Sequence, residues 1–401
     1  MRAILRLYRD AFSGLPGSVW RISAAALVNR AGTMVLPFLS LYLVKVRGFT
    51  TEQVGLILLF YGLGSVAGSW LGGRAADRFG GIPVQIWSLA GSGAGFFVLA
   101  GLERFWPILI CIFTVSAIGD AFRPACMVSV SHRTDPGNQV QAFALIRLAL
   151  NIGMAIGPAA GGVLAILNYS WLFWVEGATC ILAAVLLAAT VRDRSERDDA
   201  KERRTRVREG RPAWKDGRFL LFLAVIFVYA AAIFQIFSTV PLYLTADYGL
   251  AEDSIGLMLG FNAVLIVVFE MVLVHVLRRR NKALVIGAGC LLTCGGLALM
   301  GLGNTLMWGM FTVMFWSFGE MLSLPFASSE VASLAGRDRS GEYMGWYTAT
   351  FSFAFVVGPP VGLKIYDSFG GPTLMALVGL LGPVCWIACW FLSRTTAAAT
   401  R

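Results

Sequence analysis

Leu41-Tyr42-Leu43-Val44-Lys45-Val46-Arg47-Gly48 returns as Leu242-Tyr243-Leu244-Thr245-Ala246-Asp247-Tyr248-Gly249, and the 201-residue offset between the two stretches decides the fold. At the same offset Gly55-Leu56 returns as Gly256-Leu257, Phe60 as Phe261, Pro124 as Pro325, and Gly157-Pro158 as Gly358-Pro359. Scattered single matches arise by chance in a chain rich in Leu and Gly. Ordered matches in one unbroken register, including a tripeptide, point to a duplicated unit. Both copies are mostly apolar. A duplicated membrane unit is the mark of proteins whose two similar halves rock about a site between them.

Composition agrees. The chain has 401 residues, 57% hydrophobic and only 14% charged. A soluble domain cannot bury that much apolar surface, so its solvent is largely lipid. The apolar runs break at charged or Gly/Pro/Asn-rich points. They predict spans 1 to 6 at 19–44, 54–75, 82–102, 105–130, 140–165 and 171–191. Spans 7 to 12 follow at 218–245, 254–277, 282–303, 305–332, 342–366 and 372–394. Each is long enough for a tilted helix of about 20 residues. The expected fold is an all-α membrane protein of two pseudo-symmetric six-helix bundles. Residues 1–191 form the first, 192–217 a charged linker and 218–401 the second.

The stretch Arg192–Arg218 carries eleven Lys/Arg and seven Asp/Glu, so it is solvated, with room for a short surface helix. Its mixed signs argue against nucleic-acid binding. With the N-terminus in the cytoplasm, 26 Lys/Arg fall on the cytoplasmic side and only Lys45, Arg47, Arg104 and Lys364 outside. That asymmetry predicts that both termini are cytoplasmic and accounts for the net charge of +10; a bacterial-type inner membrane is the expected location. The basic start, Met1-Arg-Ala-Ile-Leu-Arg, reads as an interfacial lead-in, and no cleavable leader is expected. Seven cysteines lie in apolar segments, and His132 and His275 are not placed to add ligands. Packing is their expected role, with no metal or other cofactor. There is no Gly-x-x-x-x-Gly-Lys-Ser/Thr loop to bind ATP and no catalytic set.

Two motifs stand out. Between spans 2 and 3, Gly73-Arg74-Ala75-Ala76-Asp77-Arg78-Phe79-Gly80-Gly81 spaces an Asp-Arg pair between glycines. Gly73 permits close helix approach. Asp77 suits the positive N-terminal end of another helix, and Arg78 suits carboxylates or lipid phosphate. In span 5, Gly153-Met-Ala-Ile-Gly157-Pro158-Ala-Ala-Gly161-Gly162 sets small residues at i, i+4 and i+8, with a proline to bend the helix. The first motif resembles the signature loop of the major facilitator superfamily, except that Gly81 stands where a basic residue is usual. The second resembles a motif of that superfamily's drug:proton antiporter branches. The resemblance covers essentially the whole chain. It implies that Gly73, Asp77, Arg78 and Gly80 form a latch, with Asp77 near the start of span 11. It also implies alternating access and a cavity lined by spans 1, 4, 7 and 10. In the second half, Arg278-Arg279-Arg280-Asn281-Lys282 is a degenerate copy of the latch loop.

Ionisable residues within spans mark pathways. Arg30, Asp120, Arg123, Gln235 and Glu320 lie on the spans that this resemblance puts around the cavity. Arg147 and Asn151 form an i,i+4 pair in span 5. Glu176 and Glu270 sit near span ends, where headgroups are within reach. Glu320 has no charged neighbour in sequence. A carboxylate held deep in a span is costly as an anion, and a proton carrier exploits that cost, so Glu320 ranks first for coupling and Asp120 second. Asp120 and Arg123, at i,i+3, are expected to share a helix face. If they pair, Arg30 and Glu320 remain as opposite charges on different halves, which favours zwitterionic or neutral amphipathic ligands. The expected function is proton-coupled efflux of small amphipathic compounds by a monomer in the lipid bilayer. Open alternatives are a carrier for sugars, amino acids, peptides, siderophores or lysolipids, and Arg30, Arg123 and Arg147 suit an anionic or zwitterionic substrate. A non-transporting receptor is a further alternative, and it predicts a long appended soluble domain.

Overall fold

The computed structural model describes residues 6, 10, 12–191, 212–250, 252–336 and 339–399. The charged segment 192–211 and most of the basic lead-in lie outside these residues. Twelve helices are long and apolar enough to cross a membrane, and no strand occurs among the described residues. Spans 1 to 6 are Gly17–Ser40, Glu52–Phe79, Gly81–Ala100, Phe105–His132, Gln139–Ala165 and Ser170–Thr190. Spans 7 to 12 are Gly217–Phe237, Ser254–Leu277, Lys282–Met300, Leu306–Ala335, Ser340–Phe369 and Gly371–Arg394.

Local chemistry sets the ends. Thr50 and Gln53 form a reciprocal capping box on span 2. Asp216 caps span 7 by accepting from the amides of Arg218 and Phe219, both at 3.1 Å. Gly80, at φ +91°, turns the chain directly from span 2 into span 3, a conformation that L side chains resist.

Three spans are interrupted, which periodicity did not predict. Span 1 breaks between Gly17–Ala31 and Val35–Lys45. Span 4 breaks between Phe105–Gly119 and Phe122–His132. The helix of span 7, Gly217–Ile233, passes through a 3-10 turn, Phe234–Phe237, into Thr239–Ala246. Each break lies four residues before a proline: Thr33 before Pro37, Asp120 before Pro124 and Phe237 before Pro241. Proline has no N–H for the carbonyl at i−4 and its ring crowds that carbonyl. The breaks in spans 1 and 7 fall at matching places of the two repeats.

Within each half the helices bury one another's apolar faces, with Phe173, Phe219, Phe222, Tyr229 and Phe326 among the fully buried side chains. Across the halves, span 2 lies along span 11, and span 5 packs on spans 8 and 10. These two seams position the site. The face from which the 6–7 linker emerges is called the linker face below.

Candidate functional site

Arg147 of span 5 reaches across the seam to two carboxylates of the other half. Its Nη1 donates to Glu270 Oε1 of span 8 at 2.5 Å, and its Nη2 to Glu320 Oε2 of span 10 at 3.0 Å. Glu270 is 0% and Glu320 7% exposed. Glu270 Oε2 is buried with no hydrogen-bond partner. One guanidinium therefore faces two carboxylates, an excess of one negative charge that a single proton cancels. Asn151, spaced to meet Arg147, does not bond it, and its amide nitrogen is buried without a partner. Glu270 was expected near headgroups but is interior, and Glu320 does have a charged partner. The partner is remote in sequence, so no local spacing could reveal it.

In the first half, the break in span 1 exposes the amides that begin its second helical segment. Glu176 of span 6 holds them: Met34 N–H and Val35 N–H donate to its Oε2 at 2.9 and 2.6 Å. At 6% exposure Glu176 is a buried cap, not a headgroup contact. The glycine stripe of span 5 makes room for the same break. A Cβ at Gly153 would lie 2.7 Å from Arg30 Cβ, at Gly157 2.6 Å from the Thr33 carbonyl oxygen, and at Gly161 2.7 Å from Met34 Cβ. Gly162 has only the Phe38 ring tip at 3.6 Å. Pro158 stands within the helix Gln139–Leu167 without interrupting it.

Arg30 lies within electrostatic reach of Arg123, Tyr61, Asp120 and Glu176. Asp120 and Arg123 make no ion pair among the described residues, because the i,i+3 argument assumed an unbroken helix and span 4 breaks at Asp120. Gln235 is also displaced from its expected cavity role. It is 4% exposed, its Nε2 donates to the carbonyls of Ala231 and Gly358, and its Oε1 accepts from Thr239. It staples the span 7 break to span 11.

On the linker face, the amides of Gly341 and Glu342 donate to Asp77 Oδ1 and Oδ2 at 2.6 and 2.9 Å, at the N-terminus of span 11. A Cβ at Gly73 would lie 2.1 Å from the Gly341 carbonyl oxygen, so only glycine permits this crossing. Arg78 is exposed, with its guanidinium 5.3 Å from the Phe79 ring centroid, and Gly80 is buried at the turn. The repeat places Arg278 where the first half has Asp77. Arg278 donates to Asn138 Oδ1 and Gln141 Oε1 at 3.1 and 2.7 Å, at the start of span 5. The degenerate copy thus keeps the contact and reverses the charge. His132 with Ser340, Gln141 with His275, and Ser65 with Ser352 add bonds between the halves at 2.8, 3.0 and 3.0 Å.

Two bundles, the broken spans 1, 4 and 7 and an ion-paired seam define a multi-pass membrane transporter. The Major Facilitator Superfamily profile matches residues 22–349, and the chain belongs to that family. Relatives include the Na(+), Li(+), K(+)/H(+) antiporter of Planococcus maritimus, 23% identical over 87% of this chain and 90% of that protein. Multidrug resistance protein MdtH of Yersinia pestis (strain Pestoides F) is 24% identical over 87% of each chain. The crystal structure of the human organic anion transporter MFSD10 superposes with a TM-score of 0.73 at 17% identity, covering 93% of this chain and 100% of that one.

Proposed function

We propose that this transporter exports small amphipathic compounds in exchange for protons. Residues 1–191 and 218–401 are the two moving bodies, joined by the linker 192–217. Both termini lie in the cytoplasm of a bacterial-type inner membrane, as the Lys/Arg asymmetry directs. The observation that carries the reading is the Arg147–Glu270–Glu320 triad, buried where the two bodies meet. Opening the seam separates Arg147 from its carboxylates. An unpaired buried carboxylate is costly, whereas a protonated one is not. Proton uptake by Glu270 or Glu320 therefore accompanies opening, and proton release accompanies closure. The names of the multidrug and cation/proton relatives agree with export and with exchange.

The test is reconstitution in liposomes loaded with a pH-sensitive dye. Substrate-dependent proton movement is read for wild type, Glu270→Gln and Glu320→Gln. At least one variant is expected to lose about tenfold or more of the pH-driven flux, equivalent to about 1.4 kcal/mol, while downhill exchange continues. Normal proton-driven accumulation in both variants overturns the assignment.

A further inference from the structure

The triad and the cap on span 1 account for Arg147, Glu270, Glu320 and Glu176. Arg30, Arg123 and Asp120 remain. The Arg30 guanidinium donates to Met154 Sδ at 3.4 Å, a weak acceptor, and its Nε is buried with no partner. Arg123 is exposed at the break in span 4 and makes no ion pair among the described residues. The two arginines are within electrostatic reach of each other and of the Tyr61 hydroxyl and Asp120. Arg123 is also within reach of Tyr347 on span 11, so the cluster borders the other half. Tyr347, itself buried, packs edge-on against Phe351 with centroids 5.2 Å apart, so an aromatic pair adjoins the cluster.

Two guanidiniums share this cluster with Asp120 and with Glu176, whose Oε2 is engaged by backbone amides, and neither carboxylate makes an ion pair with either arginine among the described residues. The formal charges can balance, but the guanidinium donors are left without a carboxylate acceptor, which is costly for the buried Arg30 Nε. Guanidiniums bind oxyanions through paired donors, more strongly and with more directional demand than neutral groups. The dipolar, near-neutral site expected from sequence required Asp120 to be tied to Arg123 and Glu320 to be free, and neither holds.

We infer that Arg30 and Arg123 form the head-group subsite of the transport site, and that the preferred substrate is an amphipathic organic anion: a carboxylate or similar oxyanion on an apolar or aromatic body. This rests on the export reading above and names its substrate class. A permanent cation meets two guanidiniums, and a neutral analogue leaves their donors without a charged acceptor.

The test uses binding, not transport. Calorimetry on the purified full chain compares three matched probes: 2-naphthylacetate, 2-naphthylacetamide and 2-naphthylethylammonium. The carboxylate is expected to bind about tenfold or more tighter than either analogue, a difference of about 1.4 kcal/mol. Arg123→Gln is expected to abolish that preference while leaving amide binding in place. Arg30 packs tightly against span 5, so Arg30→Lys, which keeps charge but loses the fork, is the second variant; it is expected to weaken carboxylate binding alone. Equal or weaker binding of the carboxylate, no carboxylate binding, or an unchanged preference in Arg123→Gln overturns the inference. The two readings fail separately. Proton-driven export of cationic or neutral probes that still needs Glu270 or Glu320 leaves the triad standing and removes the anion site. Anion binding without proton coupling does the reverse.

Discussion

Glu176 holds two backbone amides of span 1 with one oxygen, and in a span there is no water to replace it. Removing a partner and leaving a buried donor unsatisfied costs about 1–3 kcal/mol per donor. Glu176→Leu is therefore expected to lower the thermal unfolding midpoint in detergent by several degrees. Glu176→Gln keeps an acceptor and is expected to lose less. Equal midpoints for wild type and Glu176→Leu would show that the cap contributes no stability. The sequence does mark Glu176 as an ionisable group in a span. Its partner is invisible there, because the amides it binds are donors only once the helix has broken.

Among the elements, span 5 and span 1 form a matched pair, one stripped of side chains where the other is irregular. A Cβ at Gly157 would press on backbone carbonyls, which cannot rotate away, whereas one at Gly162 would make ordinary contact. Gly157→Ala is expected to cost about 1–3 kcal/mol through overpacking and to reduce both folded yield and transport. Gly162→Ala is expected to leave both near wild type, and comparison by size-exclusion profile and flux checks the pair. If the two variants behave alike, the stripe is not what seats the break. The prolines show how far an element can be read from sequence. Pro37, Pro124 and Pro241 each sit in the first turn of the segment that follows a break, yet Pro158, Pro325, Pro359, Pro360 and Pro383 lie inside unbroken helices. The missing N–H is the same in every case. Whether the helix opens depends on what neighbouring spans offer the freed backbone, as Glu176 does for span 1.

Over the whole molecule, the bonds between halves named above fall toward the linker face. They include Asp77 on the start of span 11 and its mirrored, charge-reversed counterpart Arg278 on the start of span 5. Asp77→Asn weakens the first clamp and is expected to tip the equilibrium toward opening on that face, impairing transport while the fold survives. Ser69 is fully buried beside Ser352 in the same seam. Maleimide labelling of a Ser69→Cys reporter is therefore expected to speed up severalfold in the Asp77→Asn background. An unchanged labelling rate together with full transport would remove the latch. The duplication and the twelve spans were legible in the residues, because they depend on apolar run length and a repeat register; that the loop meets span 11 was implied by the resemblance its motif carries. The Arg147 triad, the capping role of Glu176, the burial of Gln235 and the separation of Asp120 from Arg123 were decided by the tertiary structure alone. Each depends on which helix faces which and on where a helix breaks. A chain records the charges it places in the membrane, but their pairing is set by packing between segments more than a hundred residues apart.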